Sequence, residues 1–63
     1  MRPKLKTGDL ILVKNKDKSE YWGVYLKYES GAIHYRPAQG KNICYCKHRD
    51  ILEAVSSTGE KLK

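Results

Sequence analysis

The sequence predicts a small all-β fold, with five short strands wrapped into a barrel, on three observations. Residues 8 to 13, GDLILV, form an apolar run led by Gly-Asp. Residues 21 to 28, YWGVYLKY, alternate with period two, the spacing that sends successive side chains to opposite faces of a sheet. Glycine and proline then punctuate the chain at Gly31, Pro37 and Gly40, the short intervals of hairpin turns.

Met1 to Thr7 reads as a basic arm carrying Arg2, Lys4 and Lys6, without an apolar pattern of its own. The fold is expected over residues 8 to 55 as one domain. Leu10 to Val13 makes the first strand, and Lys14 to Glu20 is a polar, solvated and mobile loop. In the second strand Trp22, Val24, Leu26 and Tyr28 form the more apolar set and are expected to face the core, leaving Tyr21, Gly23, Tyr25 and Lys27 outside. Glu29-Ser30-Gly31 is a tight turn with Gly31 placed for positive φ, so Ala32 to Arg36 pairs back as a hairpin and Pro37 ends it.

Ala38 to Lys41 turns around Gly40, and Asn42 to Lys47 returns as the fourth strand. With the turn centred near Gln39-Gly40, inward-facing Ile33 and Tyr35 pair with Cys46 and Cys44, while Ile43 and Tyr45 face out. His48 to Val55 is short and mixed, which fits one turn of 3₁₀ or α structure and a last short strand. Ser56 to Lys63 has the composition of a flexible polar tail.

This order of elements resembles the Src-homology-3-like barrels, especially their Tudor and KOW branches, over roughly residues 7 to 55. The residues that carry the resemblance are Gly8-Asp9-Leu10-Ile11-Leu12-Val13, Tyr21-Trp22-Gly23-Val24-Tyr25, Ala32-Ile33-His34-Tyr35 and Arg49-Asp50-Ile51-Leu52. It implies a five-stranded barrel with one short helical turn before the last strand. Related barrels serve transcription factors, ribosomal proteins, chromatin readers and small phage or plasmid proteins. Two departures stand out. Where Tudor readers place an aromatic cage with an acidic residue, this chain has Arg36, Gln39 and Lys41, which would repel a cationic ligand; where KOW segments carry further glycines, it has Asn15-Lys16-Asp17-Lys18-Ser19.

Size and charge narrow the function. A chain of 63 residues buries only about 60% of its unfolded surface, so large apolar side chains are needed for the core and no ordinary substrate pocket fits beside it. No enzyme activity and no cofactor are expected: the carboxylates Asp9, Asp17, Glu20, Glu29, Asp50 and Glu53 form no evident acid/base pair. With 13 Lys and Arg against 7 Asp and Glu, the net charge of +6 would attract phosphate backbones, acidic proteins or anionic membranes. No run approaches the ~18 apolar residues of a membrane span, and MRPKLKTGDL lacks the apolar stretch of a signal peptide. A soluble, cytoplasmic protein with no membrane partner is expected. Reduced cysteines fit that compartment, since Cys44 and Cys46 stand two apart on one strand and are poorly placed to bridge.

The candidate binding set is Tyr21, Tyr25, Lys27, His34, Arg36, Tyr45 and Lys47, which interleaves aromatics with cations. Bases stack on such rings while lysine and arginine meet phosphates. Lys14, Lys16 and Lys18 of the first loop are further phosphate contacts. Cys44-x-Cys46-x-His48 suggests a metal set, yet alternate residues of an extended strand spread over about 13 Å, too far for one tetrahedral ion, and His34 falls on the other face. The expected function is a nucleic-acid-binding module for DNA or RNA, regulatory in transcription or replication. The alternative is a protein-interaction module that docks an acidic or peptide segment of a larger complex. Either is expected as a monomer or a weak dimer joined through an edge strand.

Overall fold

The computed structural model describes residues 5–62. Five antiparallel strands and one 3₁₀ turn follow each other as β1 (Leu10–Lys14), β2 (Glu20–Glu29), β3 (Ala32–Pro37), β4 (Cys44–Cys46), the turn His48–Asp50, and β5 (Ile51–Val55). The strands form one sheet in the order β4-β3-β2-β1-β5. Among the described residues no helix is long and apolar enough to cross a membrane.

Turn chemistry sets the hairpins. Glu29 pairs with Ala32, leaving Ser30 and Gly31 as a two-residue loop with φ of 54° and 79°. Positive φ at both positions matches the right-handed twist of the flanking strands, and Gly31 adopts it without a Cβ penalty. The expected loop over 14 to 20 is shorter, because Lys14 and Glu20 pair as the last rung of β1 and β2. It is also tied down: Asn15 N–H donates to the Ser19 carbonyl at 2.8 Å and Ser19 N–H to the Asp17 carboxylate at 3.0 Å. The Ser19 hydroxyl donates to the same carboxylate and holds Asp17 below the usual carboxylate range.

The core occupies one face of the sheet. Ile11, Val13, Tyr25, Ile33, Tyr35, Cys46, Ile51 and Ala54 are buried, with Leu5, Cys44 and Leu62 packed against them. The pairing of Ile33 with Cys46 and Tyr35 with Cys44 is the one expected from the turn at Gln39-Gly40. The face assigned to β2 is reversed over its first half. Gly23 and Tyr25 are buried, whereas Trp22 is 40% exposed. The cause is Tyr35, whose ring lies against Gly23: a Cβ there would stand 2.7 Å from Tyr35 Cδ2. A strand glycine commonly marks such a close approach. A bulge at Leu26 then interrupts the alternation, so Tyr28 pairs with buried Ile33 and Lys27 with His34.

A second bulge, at the register shift between Leu12 and Val13, leaves Leu52 as the extra residue of β5. Bulges bend and twist the strands that carry them. The sheet nevertheless stays open: β4 and β5 are its two edges, and no ladder joins them. β4 is only three residues long and leads, after Lys47, into the 3₁₀ turn. There Lys47 N–H donates to the Asp50 carboxylate at 3.1 Å and Asp50 N–H to the Lys47 carbonyl at 2.9 Å.

Of the expected arm, Arg2 and Lys4 lie outside the described residues, as does Lys63 of the expected tail. Lys6 N–H donates to the buried Asp9 carboxylate at 2.7 Å, anchoring the entry to β1. Residues 56 to 62 fold back instead of trailing away. Ser56 N–H donates to the Glu60 carbonyl, Val55 bridges Lys61, and Leu62 N–H donates to the Ala54 carbonyl at 2.7 Å. Leu62 thereby reaches the core, which a polar composition alone does not announce.

Candidate nucleic-acid interface

The open side of the sheet leaves a groove of about 1610 Å³ between the β1–β2 loop, the β3–β4 loop and the 3₁₀ turn. Its floor is the exposed end of the core, where Val13, Tyr35 and Cys44 meet Pro37. Around it stand Lys14 and Lys16 from the first loop region, Tyr21 and Trp22 from β2, Tyr45 from β4, and Lys47 and Arg49 beside the turn. The folding cause is simple. Pairing puts Trp22 with Leu12 and Tyr45 with His34 on the outer face and Tyr21 with Val13 on the core side, so three exposed rings stand at the loop end on both faces.

Acidic residues share the rim, namely Asp17, Glu20 and Asp50. Two of them already serve the backbone: Asp17 holds Ser19, and Asp50 accepts from Lys47 N–H. Behind the β3–β4 loop, Arg36 and Lys41 line a smaller hollow of about 490 Å³ with Val24, Pro37, Ala38 and Gly40. Cations therefore surround the loop end of the molecule on both sides of the sheet.

The residues singled out from sequence fall in different places. Tyr21, Tyr45, Lys47, Lys14 and Lys16 line the groove. His34 and Lys27 lie on the outer face, where the His34 ring meets Tyr45 edge-on at 4.6 Å and Lys27 pairs with Glu29 at 2.8 Å. The pairing raises the Lys27 pKa and lowers that of Glu29, and it offsets the charge Lys27 would offer a phosphate. Arg36 joins the smaller hollow, and Lys18 occupies the tip of the first loop with φ of 69°.

Tyr25 is the correction. It is 8% exposed and belongs to the core, with burial first and Asp9 second raising its pKa. It cannot offer a stacking face. The arrangement adds Arg49, Lys41 and Trp22 to the set. Arg49 and Lys41 were visible only as isolated cations, and Trp22 was hidden by its assignment to the core. Cys46 is buried, and its thiol is pushed up to about 11 by burial, then by Asp50 and Cys44. Among the described residues no three His, Cys, Asp or Glu side chains stand close enough together to hold a metal ion.

Comparison with protein family models, curated proteins and solved structures finds no match to this chain.

Proposed function

We propose that the protein is a small basic nucleic-acid-binding module, built as an open variant of the Src-homology-3-like barrel, that grips a single strand in the groove at its loop end. The observation that carries this reading is the groove itself, lined by Tyr21, Trp22 and Tyr45 together with Lys14, Lys16, Lys47 and Arg49. Exposed rings give bases a stacking surface worth about 1 to 3 kcal/mol each, and the cations meet the phosphates between them. The barrel assignment draws support from the strand order β4-β3-β2-β1-β5 and the 3₁₀ turn before β5. Affinity should come mostly from charge and stacking, so it should fall steeply with salt and depend weakly on sequence.

A second reading, docking of a peptide segment from a protein partner, draws on the apolar floor of Val13, Tyr35, Pro37 and Cys44. Substitutions separate the two. Lys47→Glu and Arg49→Glu should each weaken binding to an oligonucleotide several-fold and lower the salt slope by about one unit. Tyr21→Ala, which removes an exposed ring, should cost about 1 kcal/mol or more. Lys27→Glu, outside the groove and beside Glu29, should cost least. Equal losses for all four would leave a diffuse charge effect and remove the groove from the account.

A further inference from the structure

We propose that the outer face of β5, β1 and β2 is a self-association surface through which two copies of this chain pack as a symmetric dimer. Directly paired strand residues share a face. The rungs Leu10↔Val24, Leu12↔Trp22 and Lys14↔Glu20, extended by Leu10↔Val55 and Leu12↔Glu53, therefore stack three rows on the side opposite Ile11 and Val13. The first two rows are apolar across their middle. Leu10 and Trp22 remain 42% and 40% exposed in a chain with few large apolar residues to spare.

The Lys14–Glu20 row points to a second copy as the occupant. Lys14 and Glu20 make the third row, Arg36 and Lys61 end the first beyond Val24 and Val55, and Glu53 closes the second. A two-fold axis running along the strands between β1 and β2 lays β1 of one copy over β2 of the other, and β3 over β5. Leu10 then faces Val24, Leu12 faces Trp22 and Lys14 meets Glu20, while Arg36 comes over Val55 in its own row. Lys14 and Glu20 of each copy thus meet Glu20 and Lys14 of the other, the self-complementarity an isologous contact needs.

The apolar centre spans three strands and two side-chain rows, roughly 200 Å² from the spacings of a sheet. A standard interface buries about 800 Å² per partner, so this contact belongs to the weak class even with its polar rim included. The inference does not rest on the nucleic-acid reading, although Lys14, Glu20 and Trp22 also stand on the groove rim. Its test accordingly uses protein alone.

Sedimentation equilibrium of the full chain, from about 10 µM to about 1 mM, should show the mass rising from 7.3 kDa toward twice that value. Lys14→Glu alone and Glu20→Lys alone each put like charges across the axis, and each should weaken association by about tenfold. An equimolar mixture of the two variants should recover it, because each supplies the charge the other lacks. Within either variant the Lys14 and Glu20 positions of one chain still carry like charges, so recovery in the mixture reports contact between chains. Circular dichroism verifies that both variants are folded. A monomer mass at the highest concentration overturns the proposal, as does association that survives both variants or a mixture no better than its components.

Discussion

Gly23→Ala tests how the core is assembled, because its sign depends on which face of β2 is buried. The added Cβ would stand 2.7 Å from Tyr35 Cδ2, 3.3 Å from Cε2 and 3.1 Å from the Arg36 carbonyl oxygen. Comfortable carbon contacts lie at about 3.5 to 4.0 Å, so the ring must retreat by roughly 1 Å. Tyr35 is 5% exposed and has little room to move, and the Arg36 carbonyl is held where β3 pairs with β2. Overpacking of this kind costs about 1 to 3 kcal/mol. In a chain of this size each kcal/mol lowers Tm by roughly 4 to 8 °C, so a loss of about 5 to 20 °C should appear in thermal melts followed by circular dichroism. If Trp22 and Val24 faced the core instead, Gly23 would be outside, and alanine would be neutral or stabilising by up to about 1 kcal/mol. A variant at least as stable as the parent refutes the packing of Tyr35 on Gly23. In a Tyr35→Leu background the same substitution should cost less, since the two positions are coupled by contact.

Alkaline pH should destabilise the protein through Cys46. Its folded-state pKa of about 11 exceeds the ordinary thiol value near 9, so the folded chain keeps a proton that the unfolded chain releases. That contribution is intact below pH 9 and is lost as pH rises toward 11, with a slope of at most about 1.4 kcal/mol per unit. Burial also raises Tyr25 and Tyr35, which extends the decline above pH 10. Urea melts of the parent and of Cys46→Ala at pH 7, 9 and 10.5 should show the flatter profile in the variant; equal slopes would contradict the assignment. Leu62→Ala should cost about 1 to 2 kcal/mol, because Leu62 packs on the core, whereas a side chain in a free tail would cost nothing on denaturant unfolding.

Local chemistry made much of the fold legible. Gly31 and the Gln39-Gly40 turn fix loop lengths, and loop length fixes register, so the local sequence matches Ile33 and Tyr35 to Cys46 and Cys44, as the strands pair. The buried face of β2 could not be read the same way. Both faces of YWGVYLKY carry aromatics, and hydrophobicity favours the wrong one because Gly23 has no side chain to count. Its role becomes visible only when Tyr35 of the neighbouring strand lies over it. The Leu26 bulge then resets the parity, so Tyr28 pairs with Ile33 and Lys27 with His34 on the faces the alternation assigns them. The groove was partly legible, through Tyr21, Tyr45 and the lysines, but its walls come from three separate segments of chain. Which of those cations converge depends on how the strands pair, which no single segment records.

The most direct test of the binding account is fluorescence anisotropy with labelled single-stranded and double-stranded DNA and RNA, each titrated at low and near-physiological salt. The account predicts micromolar or tighter binding to a single strand, a steep salt slope, and a clear loss with Lys47→Glu, Arg49→Glu and Tyr21→Ala. No binding to any of the four polymers at low salt would contradict it, and the net charge of +6 would then have to serve another partner.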